Sequence, residues 1–271
     1  MSAKRRLRLI AVCVLSAISV LAVGAGIVTP YPYALQFRDL PNAAPTTMHP
    51  LGTDALGRDL LSRLLYGTRV SLLLAPAAAL LSTLIAGVSG AAAGLLGGWY
   101  ERFILAVTDL SMALPLLFVL IALRAMLPLD VAPLASVVAT FLLLGLLGWP
   151  SSLRVVWAAA RSIRNSDFLL LARASGCGRM RMILRQVLPN LRAVLLAQFW
   201  VSIPVFILTE ATLSMLGVGV MEPMPSWGNL LRGLEDFSAV SANPWRIAPL
   251  LVLILVVICF QLVLPSQEDP A

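Results

Sequence analysis

The sequence contains little charge for its length. Only 12% of its 271 residues are charged, 59% are hydrophobic and the mean hydropathy is +0.92, whereas soluble domains carry about 25% charged residues. So few charges cannot cover a soluble globule with a polar surface, and so much apolar surface excludes intrinsic disorder. We therefore predict an all-α polytopic membrane protein.

Residue types that carry catalytic chemistry are also scarce. Lys4 is the only lysine, so the chain cannot form a Walker A loop, and any ATP hydrolysis must come from another polypeptide. The only histidine, His49, is too little for a metal site and lies outside the apolar stretches. Ser89, in a GxSG sequence, therefore lacks a base on a neighbouring span, which disfavours intramembrane proteolysis. The three cysteines predict neither a metal site nor a disulfide framework. We expect no enzymatic activity and no cofactor in this chain.

Several apolar stretches are long enough to cross a bilayer, which takes about 20 residues. The first is longer than the apolar core of a signal peptide and is interpreted as a retained helix. The six predicted spans are Leu9–Val28, Val70–Trp99, Phe103–Leu123, Val131–Leu153, Ala193–Gly217 and Ile247–Leu264. An even number of spans places both termini on the same side.

Basic residues set the predicted orientation. With the N-terminus inside, 13 of the 20 basic residues lie in cytoplasmic segments and 7 lie outside, which is the bias that cytoplasmic loops show. Topogenic placement explains these charges better than a nucleic-acid-binding face. We predict residues 1–30 as an N-terminal tail and first helix, 31–69 as extracytoplasmic, 70–264 as the transmembrane domain and 265–271 as a short cytoplasmic tail.

Two acidic residues fall within predicted spans, Asp109 and Glu210. Ionisable residues at this depth are candidates for the translocation path or its gate. A purely structural ion pair is the alternative, for Glu210 with Arg124 or Arg69. So few acids weaken, without excluding, an ion-coupled transporter or channel. The small-residue stripe Gly90, Gly94 and Gly98 is interpreted mainly as packing within the chain.

Residues 154–192, here called the arginine-rich segment, form the long predicted cytoplasmic connection and contain eight arginines. A short helix is predicted after Ser166, with Ser166 as its cap, Asp167 in its first turn and Gly176 or Gly178 at its end. A second helical stretch, Arg179–Leu188, is predicted to stop at Pro189. The run Phe168–Leu171 leaves no polar side to the first turn, so part of it must be buried against the chain, the membrane or a partner.

Three motifs now resemble those of one family. The stretches Ala172–Gly176 and Ile183–Asn190 resemble the "EAA" coupling loop of bacterial ATP-binding-cassette (ABC) importer permeases. The stretch His49–Arg63 is similar to the segment before the second span of the dipeptide, oligopeptide and nickel permeases. Glu210–Gly219 with Pro225–Asn229 resembles the fifth span and outer loop of the C-type subunit in that subfamily. The namesake glutamate is replaced by Leu170, and the tail after Leu264 is short.

The resemblance implies a type I importer permease in a bacterial inner membrane. It implies a homologous permease subunit, two ABC ATPase subunits, an extracytoplasmic solute-binding protein and a lipid bilayer as partners, and no nucleic acid. A dipeptide or oligopeptide is the first expectation for the solute, with nickel or another small solute second. The residues expected to couple the chain to the ATPase are Asp167, Phe168, Leu169, Leu170, Leu171, Ala172, Arg173 and Gly176.

Overall fold

A computed structural model describes residues 3–126, 132–235 and 237–263. Within these ranges the chain is helical, and the β pairing consists of two isolated bridges, Gln36 with Arg58 and Thr53 with Asp59. The prediction of an all-α protein is confirmed. The predicted cytoplasmic tail, residues 265–271, lies outside the described residues.

Most of the described chain is contained in helices of very different lengths. In chain order they are α1 Ala3–Val23, α2 Ala25–Val28, α3 Leu60–Leu96, α4 Gly98–Ala113, α5 Leu116–Ala125, α6 Pro133–Leu147, α7 Trp149–Ser162, α8 Asp167–Ala174, α9 Arg179–Met182, a π-helical turn Ile183–Val187, α10 Leu188–Asn190, α11 Arg192–Met215, α12 Trp227–Arg232, α13 Phe237–Ala242, a 3-10 turn Pro244–Ile247 and α14 Ala248–Val263. The long helices supply the spans, and the short ones lie in the connections.

Five helical stretches of the described chain are long and apolar enough to cross a membrane, and a sixth candidate is a bent pair. The five are Lys4–Val23, Leu60–Leu96, Pro133–Ser162, Arg192–Met215 and Pro244–Val263. They correspond to five of the six predicted spans, although their bounds differ. Helix α3 begins ten residues before the predicted Val70, so the end of the predicted extracytoplasmic segment 31–69 is helical.

The third predicted span, Phe103–Leu123, is not one continuous helix, although the bent pair at this place is the sixth candidate span. The structure has α4 and α5 there, bent by 81° at Leu114 and Pro115. A proline disfavours the helical conformation of the residue before it, and Leu114 accordingly has extended backbone angles, φ −90° and ψ 123°. Pro115 was visible in the sequence and is the signal from which the break could have been predicted.

The chain divides into two compact units, each built from segments that are separated in the sequence. Unit 1 comprises Met1–Ala75, Leu123–Phe141 and Pro204–Ala271, and unit 2 comprises Pro76–Ala122 and Leu142–Ile203. In unit 1, α1 and α12 each pack against α14, whereas in unit 2 α4 packs against α7. Two of the unit boundaries fall at Pro76 and Pro204, the prolines inside α3 and α11.

Candidate functional site

Helix α8 lies in the arginine-rich segment of unit 2 and ends in a Schellman motif. Cys177 N–H donates to the Ala172 carbonyl at 3.0 Å, and Gly176 N–H donates to the Arg173 carbonyl at 3.0 Å. This geometry needs a left-handed residue after the helix, and Gly176 has φ +73°. Of the two predicted helix ends, Gly176 and Gly178, the structure has Gly176, and Ser166 stands at the predicted position before the helix. The Ser166 hydroxyl, however, donates to the Ile163 carbonyl and does not cap α8.

The apolar first turn of α8 is divided between the core and the surface. Leu169 is fully buried in a cluster that includes Val156 of α7 and Ile183 of the π-helical turn. Leu170 and Leu171 are 47% and 67% exposed, and Phe168 is also exposed. Burying a leucine contributes about 1.5–3 kcal/mol, so Leu169 holds α8 on unit 2 while its neighbours leave an apolar surface uncovered in the chain.

The second helical stretch continues past the predicted stop. It runs from Arg179 through the π-helical turn to Asn190, and only Leu191 separates it from α11. Pro189 was predicted to end the helix, and the stretch ends one residue later, at Asn190, after the π-helical turn Ile183–Val187.

In unit 1, the His49–Arg63 stretch folds into a buried polar cluster. His49 Nδ1 lies 2.9 Å from Asp59 Oδ1, and Asp59 Oδ2 accepts from the backbone and side chain of Ser62 at 2.7 Å each. Asp59 thus caps the start of α3. The His49 ring also contacts the rings of Tyr31 and Phe37. The described residues contain no group of His, Cys, Asp or Glu side chains that could hold a metal ion.

Two arginines of this stretch form an ionic cluster with acids from two parts of unit 1. Arg58 Nε donates to Asp54 Oδ2 at 2.7 Å, and Arg58 Nη1 donates to Glu222 Oε2 at 2.6 Å. Arg63 is 2% exposed and donates from Nη2 to Glu222 Oε1 at 2.8 Å. The residues Asp54, Arg58, Arg63 and Glu222 are called the ionic cluster below. Three of them belong to the His49–Arg63 stretch, but Glu222 lies 159 residues beyond Arg63, and no local pattern indicated that it pairs with them.

The charge on Glu222 is stabilised by this cluster. Partial burial opposes the charged carboxylate, but hydrogen bonds and Coulombic attraction from Arg63 and Arg58 outweigh that effect. The pKa of Glu222 therefore lies below its ordinary value of 4.5. The cluster is internally compensated, with two arginines facing two carboxylates.

Glu210 is fully buried in α11 and joins two of the family-like stretches. Its Oε1 accepts from Ser214 at 2.6 Å, and the Ser214 hydroxyl accepts from Val220 N–H at 3.0 Å. The suggested ion pair of Glu210 with Arg124 or Arg69 is absent from the described residues. Arg124 instead donates to Ser136 and to the Gly219 carbonyl. Glu210 Oε2 has no hydrogen-bond partner in the described chain.

Asp109, the other predicted path residue, belongs to unit 2 and is exposed. It forms an ion pair with Arg154 of α7. For Asp109, the structure therefore has the ion pair with an arginine that was the alternative to a role in the translocation path. Asp109 and Glu210 belong to different units, and each is bound by residues of its own unit.

Comparison with known proteins gives the family. The model of a family described as "binding-protein-dependent transport system inner membrane component" matches residues 83–266, more than half of the chain. The chain belongs to this family of transport permeases. The match contains α4 to α8 and α11, and so it includes the arginine-rich segment.

Curated relatives of the permease extend the similarity beyond that range. The oligopeptide transport system permease protein OppC of Mycobacterium bovis is 35% identical over 273 residues, which cover 96% of this chain and 90% of the relative. OppC of Haemophilus influenzae is 31% identical, over 89% of this chain and 76% of the relative. A permease protein of Brucella suis is 33% identical over 76% of this chain, but that region covers only 66% of the relative's own length.

The small-residue stripe of the permease packs partly as predicted. A Cβ at Gly90 would lie 3.1 Å from the Leu153 carbonyl oxygen, and one at Gly94 would lie 2.6 Å from Ala160 Cβ. These glycines let α3 approach α7 closely within unit 2, which confirms packing inside the chain. Gly98 does not belong to this contact, because nothing lies within 4 Å of its added Cβ.

Proposed function

We propose that the chain is a permease subunit of an ATP-driven importer of dipeptides or oligopeptides in a bacterial inner membrane. It forms the solute path with a homologous permease, and two ATPase subunits dock on its cytoplasmic side. Both termini and the arginine-rich segment face the cytoplasm, and the ionic cluster faces a solute-binding protein outside. The peptide substrate is supported by the names of the OppC relatives, and nickel is the second expectation.

The observation that carries the proposal is the exposed apolar surface of α8. Phe168, Leu170 and Leu171 stand uncovered next to a fully buried Leu169, on a segment that carries eight arginines. Apolar side chains so arranged in an aqueous connection are typical of a protein contact surface. A foreign ATPase is the partner that fits, because the single lysine, Lys4, precludes a nucleotide-binding loop in this chain.

The ending of α8 determines how the helix is presented to that partner. The coupling residues Asp167, Ala172 and Arg173 lie on the helix itself, and Gly176 reverses the chain after it. A force applied to this helix reaches α7 through Leu169 and its neighbours in the core. Movement of unit 2 by the ATPase is therefore the proposed first step of transport.

Glu210 has a positioning role in the same scheme. Through Ser214, it holds the loop after α11 on the helix, so the loop moves when the helix moves. Asp109 fixes α4 to α7 through Arg154. Both acids are proposed to maintain the path and its gate without binding the solute directly.

A matched pair of glycine variants tests the coupling. Gly176→Val places a β-branched residue at φ +73°, a conformation that such residues strongly disfavour. Gly178→Val is the control, because Gly178 has φ −64° and open space around its added Cβ. Peptide uptake and ATP hydrolysis are measured together in vesicles with all subunits present. We expect uptake per ATP to fall about tenfold for Gly176→Val, a loss of about 1.4 kcal/mol of coupling, and to stay unchanged for Gly178→Val.

Normal coupling in Gly176→Val would contradict the role of α8. A separate experiment tests the assembly itself: the full chain is purified in mild detergent from cells that express its neighbouring genes. Co-isolation of an ATPase supports the importer, and its absence supports an ion-coupled transporter or channel. Cysteine at Leu171, in a chain without Cys13 and Cys177, should crosslink to that ATPase.

A further inference from the structure

A cavity of about 500 Å³ lies in unit 2, where α3 ends and α4 begins. One part of its wall is apolar and comes from Leu95, Leu96 and Met182. Leu95 and Met182 are themselves buried in the core of unit 2, so this part of the wall is fixed. The volume falls in the range of ligand sites, about 300–1,000 Å³.

The polar part of the wall carries three arginines, Arg164, Arg173 and Arg179. Among the described residues, no carboxylate forms an ion pair with any of them. Arg173 Nη2 donates only to the Arg164 carbonyl, at 3.3 Å. The one acid of the arginine-rich segment, Asp167, does not line the cavity. Three cations around one space repel each other, so the cavity favours an anion.

Two other arginines of the arginine-rich segment do pair with carboxylates of α4. Arg161 donates to Glu101 at 3.2 Å, and Arg154 pairs with Asp109. The acids of α4 are thus bound to arginines that do not line the cavity. No carboxylate of the described residues pairs with the cavity arginines, which leaves them available to an anion from outside the chain.

The cavity lies at the end of the candidate span α3, and this position favours a ligand found at the membrane–water interface. Gly97 separates the candidate span α3 from α4 and lines the cavity. Trp99 follows Gly97 by two residues, and its exposed ring stacks on the exposed ring of Phe103 with the ring centroids 5.5 Å apart. Exposed aromatic pairs at the end of a span are typical of the membrane–water interface. Phosphates of lipid headgroups are the anions concentrated at this level.

We propose that this cavity binds the phosphate group of an anionic phospholipid. The guanidinium groups of Arg164, Arg173 and Arg179 hold the phosphate oxygens, and the apolar wall contacts the glycerol and the first carbons of the chains. Free phosphate is also an anion that arginines bind, but it has no apolar group that could contact the apolar wall. The inference does not depend on the ATPase or on the transported solute.

Lipid retention by the full chain tests the site. The protein is delipidated in detergent, and bound phosphatidylglycerol or phosphatidylcholine is counted by native mass spectrometry. For Arg164→Gln with Arg179→Gln we expect a loss of phosphatidylglycerol affinity of about fivefold per arginine. The control is Arg181→Gln with Arg185→Gln, which removes the same charge from exposed arginines that do not line the cavity. Its retention of phosphatidylglycerol should match that of the unchanged protein.

Cys177 provides a second measurement that needs no arginine variant. This half-buried cysteine lines the cavity, so maleimide labelling in a Cys13→Ser chain reports its access. Phosphatidylglycerol should slow labelling, whereas phosphatidylcholine and inorganic phosphate should not.

Equal retention of both lipids, or unchanged retention in the cavity variant, would overturn the proposal. Protection by inorganic phosphate alone would assign the site to a free anion. Protection by ATPase subunits without lipid would assign the arginines to a protein contact. Either of these results would also overturn the phospholipid assignment.

Discussion

The arginine-rich segment of unit 2 and the ionic cluster of unit 1 use the same residue type in opposite ways. In the ionic cluster, Arg58 and Arg63 are buried and each binds a carboxylate of its own unit. In the arginine-rich segment, Arg164, Arg173 and Arg179 form no such pair in the described chain. Arginines that are compensated internally stabilise a fold, whereas uncompensated ones indicate a binding partner.

Removal of a compensated arginine should have the largest effect on stability. Arg63→Ala leaves Arg58 as the single arginine facing the two carboxylates of the ionic cluster, Asp54 and Glu222, so we expect a loss of about 3 kcal/mol in the free energy of unfolding. Thermal unfolding of the purified chain in detergent measures it. Arg185→Ala, at an exposed arginine of the other region, should change stability by about 0.5 kcal/mol or less. Equal losses of unfolding free energy in Arg63→Ala and Arg185→Ala would contradict the distinction between paired and unpaired arginines.

The stability of unit 2 should depend on close packing of helices instead. Gly94→Ala places a Cβ 2.9 Å from the Trp157 carbonyl oxygen and 2.6 Å from Ala160 Cβ. Overpacking of this kind costs about 1–3 kcal/mol, and the unfolding temperature should fall accordingly. Gly178→Ala, with nothing within 4 Å of the added carbon, is the control and should unfold like the unchanged chain. If Gly94→Ala is equally neutral, α3 and α7 are not in contact at this position.

The smallest expected effect is the pH dependence of the ionic cluster. Because the folded pKa of Glu222 is below 4.5, its stabilising contribution is present above that pH. It is lost as the pH falls through the folded pKa, since only the unfolded chain binds a proton between the two values. The difference in unfolding temperature between the unchanged chain and Glu222→Gln should shrink from pH 6 to pH 3. Glu222 is 49% exposed on its side chain, so the difference is small even at pH 6, and a difference that grows on acidification would reverse the assigned sign.

Five of the six predicted spans coincide with long apolar helices of the described chain, because a hydrophobic run of about 20 residues is a direct signal for such a helix. The helix after Ser166 and its end at Gly176 also followed from local rules, because caps depend on a few adjacent residues. The bend at Pro115 had a local signal that the hydrophobic pattern concealed. Pro189 shows a smaller difference, since the helical stretch ends one residue after it and not before it.

The parts of the site that escaped prediction depend on contacts that are distant in sequence. Glu222 pairs with Arg63 across 159 positions, and no periodicity records such a pair. The division of α8 into a buried Leu169 and exposed neighbours was similarly hidden, because four consecutive apolar residues have no period of their own. Among Phe168–Leu171, only packing against α7 selects which side chain is buried.

Of the eight residues of α8, Leu169 alone is buried. Dispersion contacts of one aliphatic side chain fix a distance but have little directional preference. The packing of Leu169 therefore permits changes in the tilt of α8 and opposes its separation from the core. In the role proposed for α8, the helix can change its tilt together with the ATPase, while a displacement along the Leu169 side chain is passed on to α7.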